Sequence, residues 1–371
     1  MDRIGVGIIG GGVRGWASIS HVPALAALPG YELCAVSTSS KESAAQAMSA
    51  FGVPAAYDNH DDLVADPGVD LVVVSVKVPH HRKLVGAAIE AGKTVYCEWP
   101  LGTDLDDATH ITAQADLAGV RTVIGVQARF SPVVRYVRDL VAQGYVGEVL
   151  GTTLVGSAGA WGPVATRANA YWFDQANGAT TLSVVTMHSW EAVDAVLGDF
   201  AAVTADLVRR RDTVALQGEP GSVTVTAPDH VAVSGVLRSG AAASVYYRGG
   251  DSRGDNLRWE INGTRGDLVI TSRNGNLQVT DLVLAGGRDR ATAVAELAVP
   301  DEYYADVPRD LVGPAHNVAQ LYAQLARDLA EGTSVVPGFA HALRRHRLVD
   351  AIEQAAATGV RRLVPGAGVS A

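Results

Sequence analysis

The sequence predicts an α/β protein. An amino-terminal, doubly wound parallel sheet is followed by an α+β part with a large, mostly antiparallel open sheet. A glycine-rich turn follows the first apolar run within residues 4–15. Strand and helix patterns then alternate to about residue 126, which is typical of parallel strands joined by crossover helices. Beyond residue 200, several strand patterns follow one another, separated by turn signals such as Asn262-Gly263.

The alternating part begins with an apolar strand that leads into the glycine turn, followed by a helical pattern over residues 16–28. Residues 70–76 are almost continuously apolar, as expected of a strand buried on both faces. The other predicted elements are strands over residues 31–38, 94–98 and 121–126 and helices over residues 41–51, 80–91 and 104–118. We assign residues 1–126 to a first domain.

The pattern changes after residue 126, and we assign residues 127–371 to a second, α+β domain whose terminal helices can pack back on the first. An open sheet needs a cover on its outer face, and a second copy of the chain is such a cover. We therefore expect a homodimer or a dimer of dimers. The predicted elements are helices over residues 132–143, 180–197, 314–330 and 339–357, strands over 148–157 and within 201–284, and an aromatic loop over 159–177.

Composition restricts the class of protein. The 371 residues are 48% hydrophobic and carry a formal net charge of −9, which indicates a soluble globular protein. Nucleic acids and anionic membranes need basic patches, so we expect neither as a partner. Cys34 and Cys97 lie in apolar strand patterns, which favours reduced cysteines and a cytoplasmic location. We find no metal-ligand spacing, no membrane span and no signal peptide.

The glycine turn has the pattern of a dinucleotide site. Gly10, Gly12 and Gly15 fit G-x-G-x-x-G between a predicted strand and a predicted helix. The first glycine allows a tight turn, the second lets the backbone approach a pyrophosphate, and the third lets the helix pack on the strand. The first N–H groups and the positive end of the helix dipole would face that anion. We therefore predict a Rossmann-type dinucleotide site that includes Val13 and Arg14; the alternative is a purely structural turn.

The end of the second strand indicates which dinucleotide binds. Ser37, Thr38, Ser39 and Lys41 stand where an Asp or Glu usually accepts hydrogen bonds from the adenosine ribose. Without a carboxylate a 2′-phosphate is not repelled, and the arginine of the glycine turn can add a second cation. We favour NADP over NAD. The alternative, compatible with the first, is that Ser37–Ser40 cap the next helix.

Ligands of doubly wound sheets lie beyond the carboxyl ends of the strands. This rule selects the residues that follow the predicted strands at 70–76 and 94–98. His80 is expected to cap a helix and its neighbour His81 to lie at the surface. The further residues predicted to contact the cofactor are Val76, Lys77, His81, Glu98, Trp99, Pro100 and Gln127.

Several segments together resemble the glucose–fructose oxidoreductase/inositol dehydrogenase (Gfo/Idh/MocA) family. They are the glycine turn, residues 91–95 before the Glu-x-Pro motif at Glu98, residues 125–130 (GVQARF) and the helix end at 357–359. Within the family the chain is most similar to bacterial oxidoreductases that resemble the fungal galactose-regulon repressor. The segments that carry this similarity are residues 97–102 (CEWPLG), 143–147 (QGYVG), 228–230 (PDH) and 262–267 (NGTRGD).

The resemblance implies a set of working residues that this chain only partly contains. The family's dehydrogenases use a Lys between the Glu and Pro of the motif, and an Asp and a His four residues apart on one helix. The His acts as general acid/base on a sugar hydroxyl, and it matches His188. The Lys position is Trp99 and the Asp position is Val184. Each missing general acid/base group typically contributes about 10²–10⁴-fold in rate.

Other residues can take over these roles. Lys77 can place an ammonium near the pocket, and Tyr171 can donate a proton; His188, Lys77 and Tyr171 are the predicted catalytic residues. The structural alternatives are a solvated rim charge for Lys77 and a core histidine for His188. The predicted substrate-binding residues, which include aromatic rings able to stack on a sugar, are Trp99, Trp161, Tyr171, Trp172 and His188.

Two functions from different classes remain open. The first is an NAD(P)-dependent oxidoreductase that transfers a hydride between the nicotinamide and a sugar-like or other small hydroxy or carbonyl substrate. The second is a non-catalytic NAD(P)-binding sensor that acts through a protein partner. The glycine turn, His188 and the aromatic residues favour the enzyme. Trp99 and Val184 favour the sensor. We favour the enzyme.

Overall fold

The computed structural model describes residues 3–279 and 281–366. The chain divides into two compact units. The first combines residues 3–127 with residues 304–343, and the second combines residues 128–303 with residues 344–366. The first unit therefore includes a segment from late in the chain. No helix in the described ranges is long and apolar enough to cross a membrane.

The first unit is built on a parallel sheet of six strands, β1 (Ile4–Ile9), β2 (Tyr31–Ser37), β3 (Ala55–Tyr57), β4 (Leu71–Val74), β5 (Thr94–Glu98) and β6 (Thr122–Gly125). Their order is β3-β2-β1-β4-β5-β6. The direction of winding reverses between β1 and β4, which places the ligand crevice of such a sheet at their carboxyl ends. All four side chains of β4 are buried, as its apolar pattern predicts.

The helices of the chain are α1 (Trp16–Ile19), α2 (His21–Ala26), α3 (Lys41–Phe51), α4 (His60–Ala65), α5 (His81–Glu90), α6 (Leu105–Ala118), α7 (Pro132–Ala142), α8 (Met187–Leu197), α9 (Pro314–Glu331) and α10 (Phe339–Thr358). Side-chain caps define several starts, because Ser40 and Asp104 accept hydrogen bonds from the first turns of α3 and α6. Within the first unit, α9 packs against α2.

The predicted helix over residues 16–28 is wrong in one respect: it is broken at Ser20 into α1 and α2. Pro23 has no N–H to donate to the carbonyl of Ile19, so a continuous helix cannot be completed there. The Ser20 hydroxyl instead donates to the carbonyl of Trp16 at 2.7 Å. The sequence patterns also missed β3 and α4, which are too short to show a clear hydrophobic period.

The strands of the second unit are β7 (Val149–Ala158), β8 (Val164–Ala165), β9 (Phe200–Val208), β10 (Thr213–Leu216), β11 (Ser222–Thr224), β12 (His230–Leu237), β13 (Ala242–Gly249), β14 (Leu257–Gly263), β15 (Gly266–Ser272), β16 (Val283–Arg288), β17 (Ala295–Glu296) and β18 (Arg362–Leu363). Nine of them form one open sheet in the order β17-β16-β15-β14-β7-β13-β12-β9-β18, and β11-β10-β8 form a small sheet. In the large sheet β7 and β13 pair in parallel, and the other neighbours are antiparallel. The predicted fold class is confirmed.

The two faces of the large sheet differ. On β13, Ala243, Val245 and Tyr247 are buried, whereas Ala242 and Tyr246 are exposed and Ser244 is half-buried. This alternation is the period-2 pattern of a strand with one face in the core. The outer face therefore presents mostly small and polar side chains, with single larger apolar residues.

The predicted helix over residues 180–197 is α-helical only in its second half. Residues Leu182–Thr186 form a π turn, and α8 begins at Met187. The N–H of Thr186 donates to the carbonyl of Thr181 at 3.1 Å, five residues earlier. Such π turns are rare and occur frequently at functional sites. This one ends two residues before His188.

Candidate functional site

The glycine turn between β1 and α1 lies at the carboxyl edge of the parallel sheet. Gly10 has φ 91°, and a Cβ on it would lie 2.2 Å from the carbonyl oxygen of Ser75. A Cβ on Gly12 would meet no atom within 4 Å. The N–H groups of Gly12, Val13 and Arg14 make no hydrogen bond to any residue that the structure describes. The turn therefore offers free donors and open space to an anion.

The prediction that the dipole of the following helix attracts the anion at this turn needs correction. The helix that follows Gly15 has only four residues before the break at Ser20. A macrodipole arises from many aligned peptides, so the free N–H groups of the turn, rather than the dipole, provide most of its attraction for an anion. Next to the turn, the hydroxyl of Ser75 is buried without a hydrogen-bond partner in the described chain. It is a further donor at this edge.

The residues after β2 divide into two sets. Thr38, Ser40 and Ser43 bond to one another, and the N–H of Ser43 donates to Ser40 Oγ at 3.2 Å, so the capping interpretation is confirmed for Ser40. Ser37 is buried, and its carbonyl accepts from the N–H groups of Gly10 and Gly11. The side chains of Ser39 and Lys41 are exposed, as is Arg14 of the glycine turn.

The prediction that His81 lies at the surface is wrong. The ring is buried at the start of α5, with Nδ1 2.8 Å from the carbonyl oxygen of Pro100 and Nε2 3.1 Å from that of Val76. Burial lowers the pKa of His81, although these backbone contacts oppose the shift. His81 thus ties together the segments that follow β4 and β5. Lys77, in the segment that follows β4, is exposed.

Glu98, at the end of β5, belongs to a buried polar cluster that sequence patterns did not reveal. Its Oε1 lies 2.8 Å from Nε2 of His21 and 2.8 Å from Nε2 of Gln127. The other ring nitrogen of His21 lies 2.7 Å from the hydroxyl of Tyr322, on α9. A lone histidine in the apolar stretch of α2 was the available signal, but its partner is 301 residues away. The next residue, Trp99, is 4% exposed and precedes Pro100 in a cis peptide.

In the second unit, His188 lies on the first turn of α8 and is 2% exposed. Val184, in the Asp position implied by the family resemblance, lies in the preceding π turn and is half-buried. The next residue, Ser189, accepts a hydrogen bond of 2.6 Å from the hydroxyl of Tyr247. His188 and its neighbours Met187, Ser189 and Trp190 on α8 are all buried.

Two tryptophans of the aromatic loop over residues 159–177 pack against each other, which the sequence did not predict. Trp161 and Trp172 stack on each other, with ring centroids 4.7 Å apart and an angle of 19° between the planes. Burial raises the pKa of Tyr171, although a hydrogen bond from the indole of Trp172 opposes the shift. Tyr171 therefore keeps its proton at neutral pH. One face each of Trp161 and Trp172 is already covered.

A buried ionic cluster lies on the carboxyl side of His188. Arg345, which is 1% exposed, pairs with Glu191 at 2.7 Å, Asp199 at 3.1 Å and Asp194 at 3.2 Å. Arg129 pairs with Glu191 at 3.0 Å and Asp194 at 2.6 Å. These contacts give both acidic residues of α8 a structural role. Arg345 has no distinguishing sequence signal, because its neighbours on α10 are also charged.

The fold and the glycine turn together define a dinucleotide-binding protein of the Rossmann type. A family model described as an oxidoreductase family with an NAD-binding Rossmann fold matches residues 4–126. A second model, described as the Gal80p C-terminal domain, matches residues 132–272. Residues 4–126 therefore match the Gfo/Idh/MocA oxidoreductase family that the motifs predict. The cofactor therefore belongs to the class of nicotinamide dinucleotides.

The similar proteins include both dehydrogenases and a regulator. Dehydrogenase aclE of Aspergillus oryzae is 36% identical over 178 residues, 47% of this chain and 48% of that protein, so the match spans about half its length. The galactose/lactose metabolism regulatory protein GAL80 of Saccharomyces cerevisiae is 26% identical over 311 residues, 78% of this chain and 71% of that protein. Levoglucosan dehydrogenase of Pseudarthrobacter phenanthrenivorans is 26% identical over 387 residues, 96% of this chain and 97% of that protein.

Experimental structures of two of these proteins share the fold. The crystal structure of a super-repressor mutant of Gal80p from Saccharomyces cerevisiae has a TM-score of 0.88 at 24% identity and covers 98% of both chains. The apo form of levoglucosan dehydrogenase has a TM-score of 0.85 at 23% identity and covers 98% of this chain and 100% of that chain. At such identities the likeness shows the fold alone.

Proposed function

We propose that this protein is an NAD(P)-dependent oxidoreductase that acts on a sugar-like or other small hydroxy or carbonyl compound. The glycine turn carries this proposal. The N–H groups of Gly12, Val13 and Arg14 have no partner in the described ranges, and a side chain at Gly12 would fill the open space beside them. The match to a model for NAD-binding oxidoreductases covers the same part of the chain.

In this proposal the residues of the turn, Gly10 to Gly15, hold the pyrophosphate. Arg14, Ser39 and Lys41 bind the 2′-phosphate, so NADP is preferred and NAD is the weaker ligand. The exposure of these side chains and the lack of an acidic residue at the end of β2 support this choice. When bound, the nicotinamide supplies or accepts a hydride.

His188, Lys77 and Tyr171 are the proposed proton-transfer residues. His188 occupies the position of the family's general acid/base. Tyr171 donates rather than accepts a proton at neutral pH, because its pKa is raised by burial. Lys77 places an ammonium at the carboxyl edge of the sheet. Trp99, Trp161 and Trp172 are proposed to contact the substrate but cannot transfer a proton, because an indole N–H only donates hydrogen bonds.

The second candidate is a non-catalytic NAD(P) sensor that acts through a protein partner. Trp99 and Val184, in place of the family's Lys and Asp, specifically favour it. The match of residues 132–272 to the Gal80p C-terminal domain adds support, because a similar protein is named as a regulator.

One series of experiments separates the two. Titration of the purified protein with NADP⁺ and NAD⁺ tests binding, and turnover is then assayed in both directions with a panel of sugars, polyols and ketones. Binding with turnover supports the enzyme. Binding without turnover across the panel supports the sensor, and no binding contradicts both. If His188→Ala, Lys77→Ala and Tyr171→Phe all leave turnover unchanged, the proton-transfer assignment is wrong.

We also propose that two copies associate through the outer face of the nine-stranded sheet. Val155 on β7 and Tyr246 on β13 are paired in register there, and both are exposed in the single chain. Burial of such a face against a second copy would remove apolar surface from water.

A further inference from the structure

His81 is a buried titratable residue that the proposed hydride transfer does not use. It lies at the start of α5 and is 1% exposed. Its Nδ1 lies 2.8 Å from the carbonyl oxygen of Pro100, and its Nε2 lies 3.1 Å from that of Val76. Val76 follows β4 and Pro100 follows β5. One ring therefore connects the segments beyond the carboxyl ends of two neighbouring strands.

The two carbonyl contacts cannot both be hydrogen bonds of a neutral ring. A carbonyl oxygen only accepts, and a neutral imidazole has one N–H group and one nitrogen without a proton. In either neutral tautomer, one nitrogen and one carbonyl oxygen face each other with no proton between them. An imidazolium has two N–H groups and donates to both Val76 and Pro100. The hydrogen-bonding geometry around His81 therefore favours the protonated ring.

Burial opposes this protonation. The removal of the ring from water lowers the pKa of His81, and it outweighs the opposite effects of the backbone contacts and of Glu98. The ring is therefore neutral at neutral pH, and one of its two carbonyl contacts lacks a proton. A further negative charge near the ring would shift this balance toward the imidazolium.

Two titratable side chains of β5 interact with the ring. Cys97 Sγ lies 3.3 Å from Nδ1, and burial raises the pKa of this thiol, so it stays protonated. The charge of Glu98 favours the imidazolium. Elsewhere around α5 the charged and titratable side chains are exposed or paired. They are Lys77 and His80 after β4, Asp62 and the pair His60–Asp61 on α4, Lys83 on α5, Asp106 and His110 on α6, and the pair Arg82–Asp107.

The glycine turn lies next to the segment that His81 contacts. A Cβ on Gly10 would lie 2.2 Å from the carbonyl oxygen of Ser75 and 2.7 Å from Cγ1 of Val76. The backbone of the turn therefore packs directly against the residue whose carbonyl faces Nε2 of His81. The ring is buried, so water only weakly screens its interaction with an anion held by the N–H groups of the turn.

We propose that His81 takes up a proton when the dinucleotide binds, so that the imidazolium and the negatively charged pyrophosphate stabilise each other. This inference rests on the proposed cofactor site. Protonation also completes the hydrogen bonds to Val76 and Pro100 and so ties the segments after β4 and β5 together in the bound state. His81 is a positioning residue, because it acts through its charge and through the backbone. Linkage is reciprocal, so acidification must in turn strengthen binding.

The test is calorimetric titration with NAD⁺ in two buffers of different ionisation enthalpy, which gives the number of protons taken up on binding. NADP⁺ is avoided because a phosphate monoester itself titrates at about pH 6. The wild type should take up a fraction of a proton at about pH 6.5, near the ordinary pKa of histidine. Its Kd for NAD⁺ should fall by up to about tenfold per pH unit as the pH is lowered.

Two variants assign the proton. His81→Asn cannot be protonated, so it should take up less than about 0.1 proton, and its Kd should change less than about twofold per pH unit. His80→Asn is the matched control at the exposed neighbouring position and should behave like the wild type.

The possible results lead to different conclusions. Binding of NAD⁺ to the wild type without proton uptake would overturn the inference and leave the proposed function intact. Uptake that is unchanged in His81→Asn would assign the proton to another group, such as the buried His21, and would also overturn it. If His81→Asn does not fold, His21→Gln is titrated instead: retained uptake supports His81, and lost uptake contradicts it. Failure of the wild type to bind any dinucleotide would contradict the proposed function.

Discussion

At the scale of single residues, Gly10 and Gly12 have different tasks within one turn. Gly10 has a left-handed backbone conformation and lies against Ser75, whereas Gly12 borders open space. Gly10→Ala should lower the free energy of unfolding by about 1–3 kcal/mol, because the new Cβ adds strain and a clash. Gly12→Val should leave stability nearly unchanged but weaken dinucleotide binding at least about tenfold, about 1.4 kcal/mol.

Chemical denaturation and dinucleotide titration of both variants check this prediction. Gly30→Ala is the matched control, since a Cβ there meets nothing within 4 Å and the residue is remote in sequence from the turn. Normal binding by Gly12→Val would contradict the placement of the pyrophosphate.

His81 gives a prediction about pH. Its pKa is lowered in the folded state by burial, so the unfolded chain takes up a proton at a higher pH than the native protein does. Stability should therefore fall as the pH drops below about 6.5, by up to about 1.4 kcal/mol per pH unit. Denaturation at pH 7.5 and pH 5.5 measures this loss. His81→Asn should reduce it, and His80→Asn, at the exposed neighbouring position, should not. Equal losses in all three proteins would show that another group is responsible.

At the scale of elements, α8 and α10 are connected by a buried charge cluster rather than by apolar contacts alone. Arg345→Ala would leave Asp199 without its cation and would leave Glu191 and Asp194 with Arg129 alone. Removal of one partner of a buried ion pair typically costs about 3–5 kcal/mol. We expect a loss of that size in the free energy of unfolding, measured in urea. Arg347→Ala, a half-buried arginine on the same helix, should cost less than about 1 kcal/mol; a similar loss in both variants would contradict the role of the cluster.

At the scale of the whole molecule, the large sheet determines the expected assembly. Val155→Lys places a charge in the centre of its outer face, where Val155 is paired with Tyr246. Burial of an unpaired ammonium is costly, so we expect the variant to be monomeric if the wild type is a dimer, and dimeric if the wild type is a dimer of dimers. Light scattering after size-exclusion chromatography measures this mass. Leu117→Lys, on the exposed side of α6, should leave the mass unchanged. A monomeric wild type would exclude the proposed association.

The sequence by itself determined the features that depend on local pattern. The order of strands and helices, the glycine turn, the cap at Ser40 and the family all follow from residues close together in the chain, because hydrophobic period and turn chemistry act locally. It also showed that Trp99 and Val184 depart from the family's pattern. The predicted cofactor and catalytic residues remain predictions.

Only the tertiary structure decided which distant residues meet. The predicted first helix is interrupted at Ser20, because Pro23 lacks the N–H that a continuous helix needs. In the folded chain His81 is buried, and His21 on α2 contacts Tyr322 on α9 and Glu98 on β5. No local pattern encodes these contacts, because each buried hydrogen bond depends on how separate segments pack, and His21 and Tyr322 are 301 residues apart. The charge of Glu98 was visible in the sequence, but its burial and its hydrogen bonds were not.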